Sequence, residues 1–277
     1  MPKFVSKLTL IARGLLHPAF PAVIFLVFLG MALGLQYGIK KQDRENLQHS
    51  LQSQTQLMAQ RLERNFLVHV EAIQRMAERL ETNPSLSRDL WSEDARNYLE
   101  DRCVYLAIEW IDSNYRVRWL EPLQSNEAVI GYNVAFSPER LAALQEAKET
   151  GSLDISGVID LQQGGKGLVV YAPVGKGPSN NGFIAGVFRM NVLAGDLLAF
   201  DSADPLRINI LNDGNLVYQL NPDIIADGAF SSEASVSLPT LDWSLLITPS
   251  TSWAKDQLST GRGSPFWSCS AWAYSPA

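Results

Sequence analysis

From Gly14 to Ile39 no side chain carries a full charge, and the run Ala19–Ile39 reads AFPAVIFLVFLGMALGLQYGI. A helix needs about 20 apolar residues to cross a hydrocarbon core. The stretch therefore predicts a transmembrane helix, assigned to residues 15–39, and a chain tethered to a membrane. A cleaved signal peptide is the competing reading. Its apolar core would run to about 7–15 residues and end at a small-x-small site, whereas here the run is longer and Lys40-Lys41 follows. Lys3, Lys7 and Arg13 precede the helix without an acid, while Lys40, Lys41 and Arg44 alternate with Asp43 and Glu45 behind it. This points to a cytoplasmic tail at residues 1–14 and single-pass anchorage in a cell inner membrane, with the remainder in the periplasm.

Between Lys40 and Glu81 there is neither Gly nor Pro, and Leu47, Leu51, Met58, Leu62, Phe66, Val70, Ile73, Ala77 and Leu80 recur at helical spacing. Residues 40–82 are thus expected to form a stalk helix of about 60 Å at 1.5 Å per residue. Its apolar seam is expected to pair with a second copy, giving a homodimer through the stalk; the alternative is a helix packed on its own domain. Asn83-Pro84 ends the rod, and Ser87–Arg102 predicts a shorter helix. Val104–Ile111 and Tyr115–Leu120 flank the turn Asp112-Ser113-Asn114 as a hairpin. Ser137-Pro138 opens a helix that Gly151 stops, and strands are expected at Leu153–Leu161, Gly167–Val174 and Gly182–Met190. After a helix at Val192–Phe200 comes a second set: Leu206–Leu211 and Leu216–Leu220 about Asp213-Gly214, then Ala234–Leu238 and Trp243–Thr248, with a helix starting near Ser252.

The chemistry the chain can do is narrowed by what it lacks. In 277 residues of net charge −6 there is no Lys/Arg cluster long enough to follow a phosphate backbone, so nucleic acid is not an expected partner. No histidine follows His69, which removes hydrolytic triads and most zinc sites from the remainder of the chain. Cys103 and Cys269 lack CxxC spacing, and Cys103 is expected to pack as a small hydrophobe. Gly164-Gly165-Lys166-Gly167 lacks the phosphate-loop spacing and suits a hairpin turn. No catalytic domain, metal or cofactor is called for, and the chain is not expected to be an enzyme.

Five blocks carry a family resemblance: Glu121-Pro122-Leu123-Gln124-Ser125-Asn126; Gly131-Tyr132-Asn133; Pro138 to Leu144 (PERLAAL); Ala147 to Gly151 (AKETG); and Tyr171-Ala172-Pro173-Val174. In this order they resemble the CHASE domain, over roughly residues 70 to 220. The resemblance implies an extracytoplasmic sensor of α+β class, in which the stalk helix precedes two PAS-like units. The larger, membrane-distal unit is expected at residues 83–200 and the smaller, membrane-proximal one at 201–252. It implies a small-molecule ligand, with Asn133, Ile155, Ser156, Tyr171 and Phe188 as ligand-binding residues. Where plant cytokinin receptors have an acid in the Gly-x-Asp block, this chain has Asn133, an amide that both donates and accepts without charge. The family also implies an output domain, a histidine kinase or a cyclic-di-GMP enzyme, which is not expected within these 277 residues. Residues 253–277 are expected to be the start of a truncated or frameshifted second membrane segment. The competing reading is a membrane-anchored adaptor that binds another extracytoplasmic protein.

Overall fold

The structure, a computed structural model, describes residues 19–101, 104–198, 205–226 and 228–260. The expectations for the tail at 1–14, for Cys103 and Cys269, and for the segment 261–277 lie outside the described residues. The chain forms two compact units, one of Leu51–Ala254 and one of Met1–Ser50 with Lys255–Ala277.

Helix α1 (Ala19–Thr82) is unbroken over 64 residues. Its first part is the one helix, among the described residues, long and apolar enough to cross a membrane, with a mean hydropathy of 2.1 over its most apolar window. From Val23 to Ile39 its large apolar side chains are exposed. The stripe expected to pair with a second copy behaves differently. Leu51, Met58, Leu62, Phe66, Val70, Ile73, Ala77 and Leu80 are all buried within this one chain. Thr55, a break in the seam by its polarity, is buried in the same stripe because its hydroxyl donates to the Leu51 carbonyl at 2.8 Å. The seam is therefore a core face, and the expectation that it pairs with another copy is corrected: those side chains are already covered.

Helix α2 (Arg88–Asp101) follows, then strands β1 (Tyr105–Asp112) and β2 (Val117–Glu121), helix α3 (Pro138–Thr150), the two-residue strands β3 (Asp154–Ile155) and β4 (Ile159–Asp160), β5 (Lys166–Val174), β6 (Gly182–Arg189) and helix α4 (Met190–Leu198). The six strands form one antiparallel sheet in the order β2-β1-β6-β5-β3, with β4 also on β5. The stretch expected as one strand at Leu153–Leu161 is broken in two at Gly157, whose φ of +69° no extended strand accommodates. The second sheet comprises β7 (Leu206–Asn212), β8 (Asn215–Leu220), β9 (Ser232–Ser237) and β10 (Asp242–Pro249), in the order β8-β7-β10-β9, and helix α5 (Thr251–Thr260) follows.

The larger sheet is covered on both faces, which is why β5 and β6 are apolar almost throughout. On one face, Phe188 of β6 packs edge-on to Phe66 of α1 at 5.6 Å, and Tyr105 of β1 lies 4.8 Å from Phe188. The Tyr105 hydroxyl donates to the His69 carbonyl of α1 at 2.9 Å. Helix α2 reaches the sheet through the aromatic series Trp91, Trp119 and Trp110. On the other face, Ala143, Leu144 and Ala147 of α3 share a core with Ala107, Ile111, Val169, Tyr171, Phe183, Ala185 and Val187.

If α1 is a core element, truncating Phe66 should damage the fold and not the association state. Replacing Phe66 by Ala is expected to cost about 3–5 kcal/mol of stability. Chemical denaturation of the full chain in detergent reads the loss, and sedimentation of the folded fraction should show an unchanged oligomeric state. A dissociated but equally stable variant would return the stripe to an intermolecular role.

Candidate ligand site

Paired residues of an antiparallel sheet present their side chains to the same face, and their neighbours along each strand to the other. This rule sorts the five expected ligand contacts. Phe188 pairs with Leu168 and packs on α1, so it belongs to the helix α1 face. Ile155 pairs with Val170, while its neighbour Asp154 pairs with Tyr171. Ile155 therefore also points away from Tyr171. The Ser156 hydroxyl accepts the Val169 N–H and donates to the Gly157 carbonyl, both at 3.0 Å, so it is used in tying down the strand end. The side-chain oxygen of Asn133, which is exposed, accepts the Ala135 N–H at 3.0 Å and starts the 3-10 turn Val134–Phe136. Tyr171 is wholly buried on the α3 face. The structure thus does not bring the five residues to one place: Phe188 and Ile155 lie on the face opposite Tyr171.

What does converge on Tyr171 is a set the sequence reading did not single out. Across the sheet runs the row Leu120, Glu109, Ala185, Tyr171, Asp154, on β2, β1, β6, β5 and β3. Glu109 and Tyr171 are separated by one strand, so their backbones stand about 10 Å apart, and the residue between them is an alanine with nothing beyond Cβ. Over this row α3 brings Arg140, from its first turn. Glu109 is 4% exposed, Arg140 8% and Tyr171 0%. The charges of Glu109 and Arg140 act on each other, yet the two make no ion pair at contact distance. Arg140 reaches the Asp160 carbonyl through Nη2 at a long 3.4 Å. The Tyr171 hydroxyl is buried with no partner in hydrogen-bonding geometry.

The electrostatics follow from burial. Loss of water pushes the Glu109 carboxyl up to about 7, a rise that the Arg140 charge partly offsets. Burial also pushes the Tyr171 phenol up, against the pull of Arg140. A carboxyl pushed up to about 7, a guanidinium and the phenol hydroxyl beside it can together donate to and accept from a small polar molecule. The sequence signal for Glu109 is visible in hindsight as an acid in the middle of the apolar strand YLAIEWID. Arg140 carried no such mark, because a helix N-terminal arginine is ordinarily solvated.

A raised carboxyl keeps its proton in the folded chain after the unfolded chain has lost it. Its contribution is therefore least unfavourable below its ordinary value of 4.5, and stability is lost as pH rises towards 7. The shift corresponds to a loss on the order of 3 kcal/mol. Replacing Glu109 by Gln should remove this dependence. Denaturant midpoints measured from pH 4.5 to 8 should show the variant gaining on wild type as pH rises, and parallel curves would show that Glu109 is not buried as described.

With this geometry in hand, comparison with known proteins is informative. An extracellular ligand-binding receptor from Desulfohalobium retbaense superposes with a TM-score of 0.56 at 18% identity, over 71% of this chain and 39% of that one. This chain therefore spans well under half of that receptor. The ligand-binding domain of the Pseudomonas aeruginosa amino acid chemoreceptor PctB, in complex with L-Gln, gives 0.56 at 14% identity, over 77% of this chain and 93% of that one. That of the Pseudomonas fluorescens chemoreceptor CtaA, in complex with L-isoleucine, gives 0.57 at 13%, over 78% and 98%. At such identities the likeness is one of fold: α+β, with a long helix ahead of antiparallel PAS-like sheets. No curated protein matches in sequence. Residues 31–219 match the CHASE domain, beginning inside the apolar part of α1 and ending in β8, and the chain belongs to the CHASE domain family.

Proposed function

We propose that this chain is the extracytoplasmic small-ligand sensing module of a transmembrane signal-transduction protein, with its ligand held on the α3 face of the larger sheet. The observation that carries the reading is the polar set Glu109, Arg140 and Tyr171, buried on a face whose core is apolar and whose row ends in the half-buried Asp154. A core has no use for such groups, since burying polar atoms without partners costs free energy, whereas a ligand pocket requires a few of them in an apolar wall. CHASE membership and the ligand-binding-domain fold support the same assignment. Tyr171 remains an expected ligand contact, and Asn133 sits on the loop that leads into α3. The output is proposed to be a histidine kinase or a cyclic-di-GMP enzyme. Anchorage in the inner membrane, with the domain in the periplasm, fits the exposed apolar segment of α1. A homodimer is proposed through that segment, Val23 to Ile39, because the stripe from Leu51 to Leu80 is already buried.

The topology is tested at Ser179, which is exposed in the turn Gly177–Ser179 between β5 and β6. In a background with Cys103 and Cys269 replaced by Ser, a Ser179→Cys chain should react with a membrane-impermeant maleimide in spheroplasts. Reaction only after lysis would place the domain in the cytoplasm and overturn the proposal.

A further inference from the structure

The charges of the site say what kind of molecule it takes. Glu109 and Arg140 are opposite in sign, both more than nine-tenths buried, on different elements, and not in contact with each other. Had they met, they would form a structural ion pair and the site would be electrically closed. Apart, neither has a charged partner at contact distance, and Arg140 is left with the Asp160 carbonyl at a long 3.4 Å and the neighbouring Tyr171 hydroxyl. Along the sheet from Glu109, past the small Ala185, lies Tyr171, whose buried hydroxyl stands beside Arg140 without a well-aligned hydrogen bond. We propose that the ligand is a small zwitterion, whose cationic nitrogen meets Glu109 and whose carboxylate meets Arg140 and the Tyr171 hydroxyl.

The geometry fits in scale. The row places Glu109 about 10 Å from Tyr171 along the sheet, both side chains on the α3 face and only an alanine between them. Arg140 suits a carboxylate because its planar donors can bind both oxygens at once, and a phenol hydroxyl adds a third donor. Glu109, acceptor-only once ionised, suits an ammonium. An uncharged sugar or base would leave the Arg140 guanidinium buried without a charged partner and Glu109 holding its proton. A ligand with one charge would satisfy half the site.

The inference rests on the sensing reading, and the test separates the two. The full chain in detergent is titrated calorimetrically with the common L-α-amino acids, γ-aminobutyrate and glycine betaine, with adenine and glucose as uncharged probes. For any zwitterion that binds, the matching amine and the matching carboxylic acid are titrated as well. The expected result is that a zwitterion binds and that each singly charged analogue binds about tenfold more weakly or worse. Glu109→Gln should erase the preference for the ammonium, and Arg140→Gln the preference for the carboxylate. If either variant fails to fold, the analogue series on the wild-type chain still decides. Analogues that bind as well as the zwitterion, or folded variants with unchanged preference, would overturn the charge assignment. Binding of adenine or glucose with no response to any zwitterion would overturn it too, while leaving the sensing reading intact. No response to any probe, in a chain shown to be folded, would count against both.

Discussion

The burial of one stripe of α1 organises the rest of the molecule. Leu62, Phe66, Val70 and Ile73 are at most a few per cent exposed, and Phe66 and Ile73 reach the larger sheet directly. At Gly186 a Cβ would stand 2.8 Å from Ile73 Cγ1, so the absence of a side chain on β6 is what lets the helix lie so close. A sheet packed this way is committed on that face. Its other face is the only one on which α3 and the loops around it can build something other than a helix interface.

On that second face the sheet carries its unusual charges. Desolvating a carboxylate or a guanidinium costs several kcal/mol unless it is paired. Glu109 and Arg140 are buried without an ion pair between them, and Tyr171 adds a buried hydroxyl with no well-aligned hydrogen bond. An apolar core of the same volume would be at least as stable. Perturbed ionisable groups of this kind concentrate at functional sites.

The same helix that forms the core face of the domain continues, without a break, into the exposed apolar segment that begins at Val23. The aromatic contacts of Phe188 with Phe66 and Tyr105 hold the larger sheet to that helix.

Local pattern was enough to read much of this from the sequence. Helical spacing marked the stripe of α1, the apolar run marked its membrane segment, and turn residues separated the hairpin strands and the two sheets. Five ordered blocks pointed to the family. Which partner covers the stripe was beyond reach, because an apolar helical face looks the same whether a second copy or the chain's own sheet buries it. The composition of the site was equally hidden. Alternation says that neighbours on a strand face opposite ways but not which face is which, and irregular pairing around Leu106 carries Tyr105 onto the α1 face. Phe188 and Tyr171, both plausible pocket residues by type, are separated by this assignment. Glu109, Arg140 and Tyr171 lie far apart in the chain and are joined only by strand register and by the docking of α3. The sequence alone determined the elements and their family; the tertiary structure decided who faces whom, because side-chain orientation in a sheet depends on pairing between distant segments.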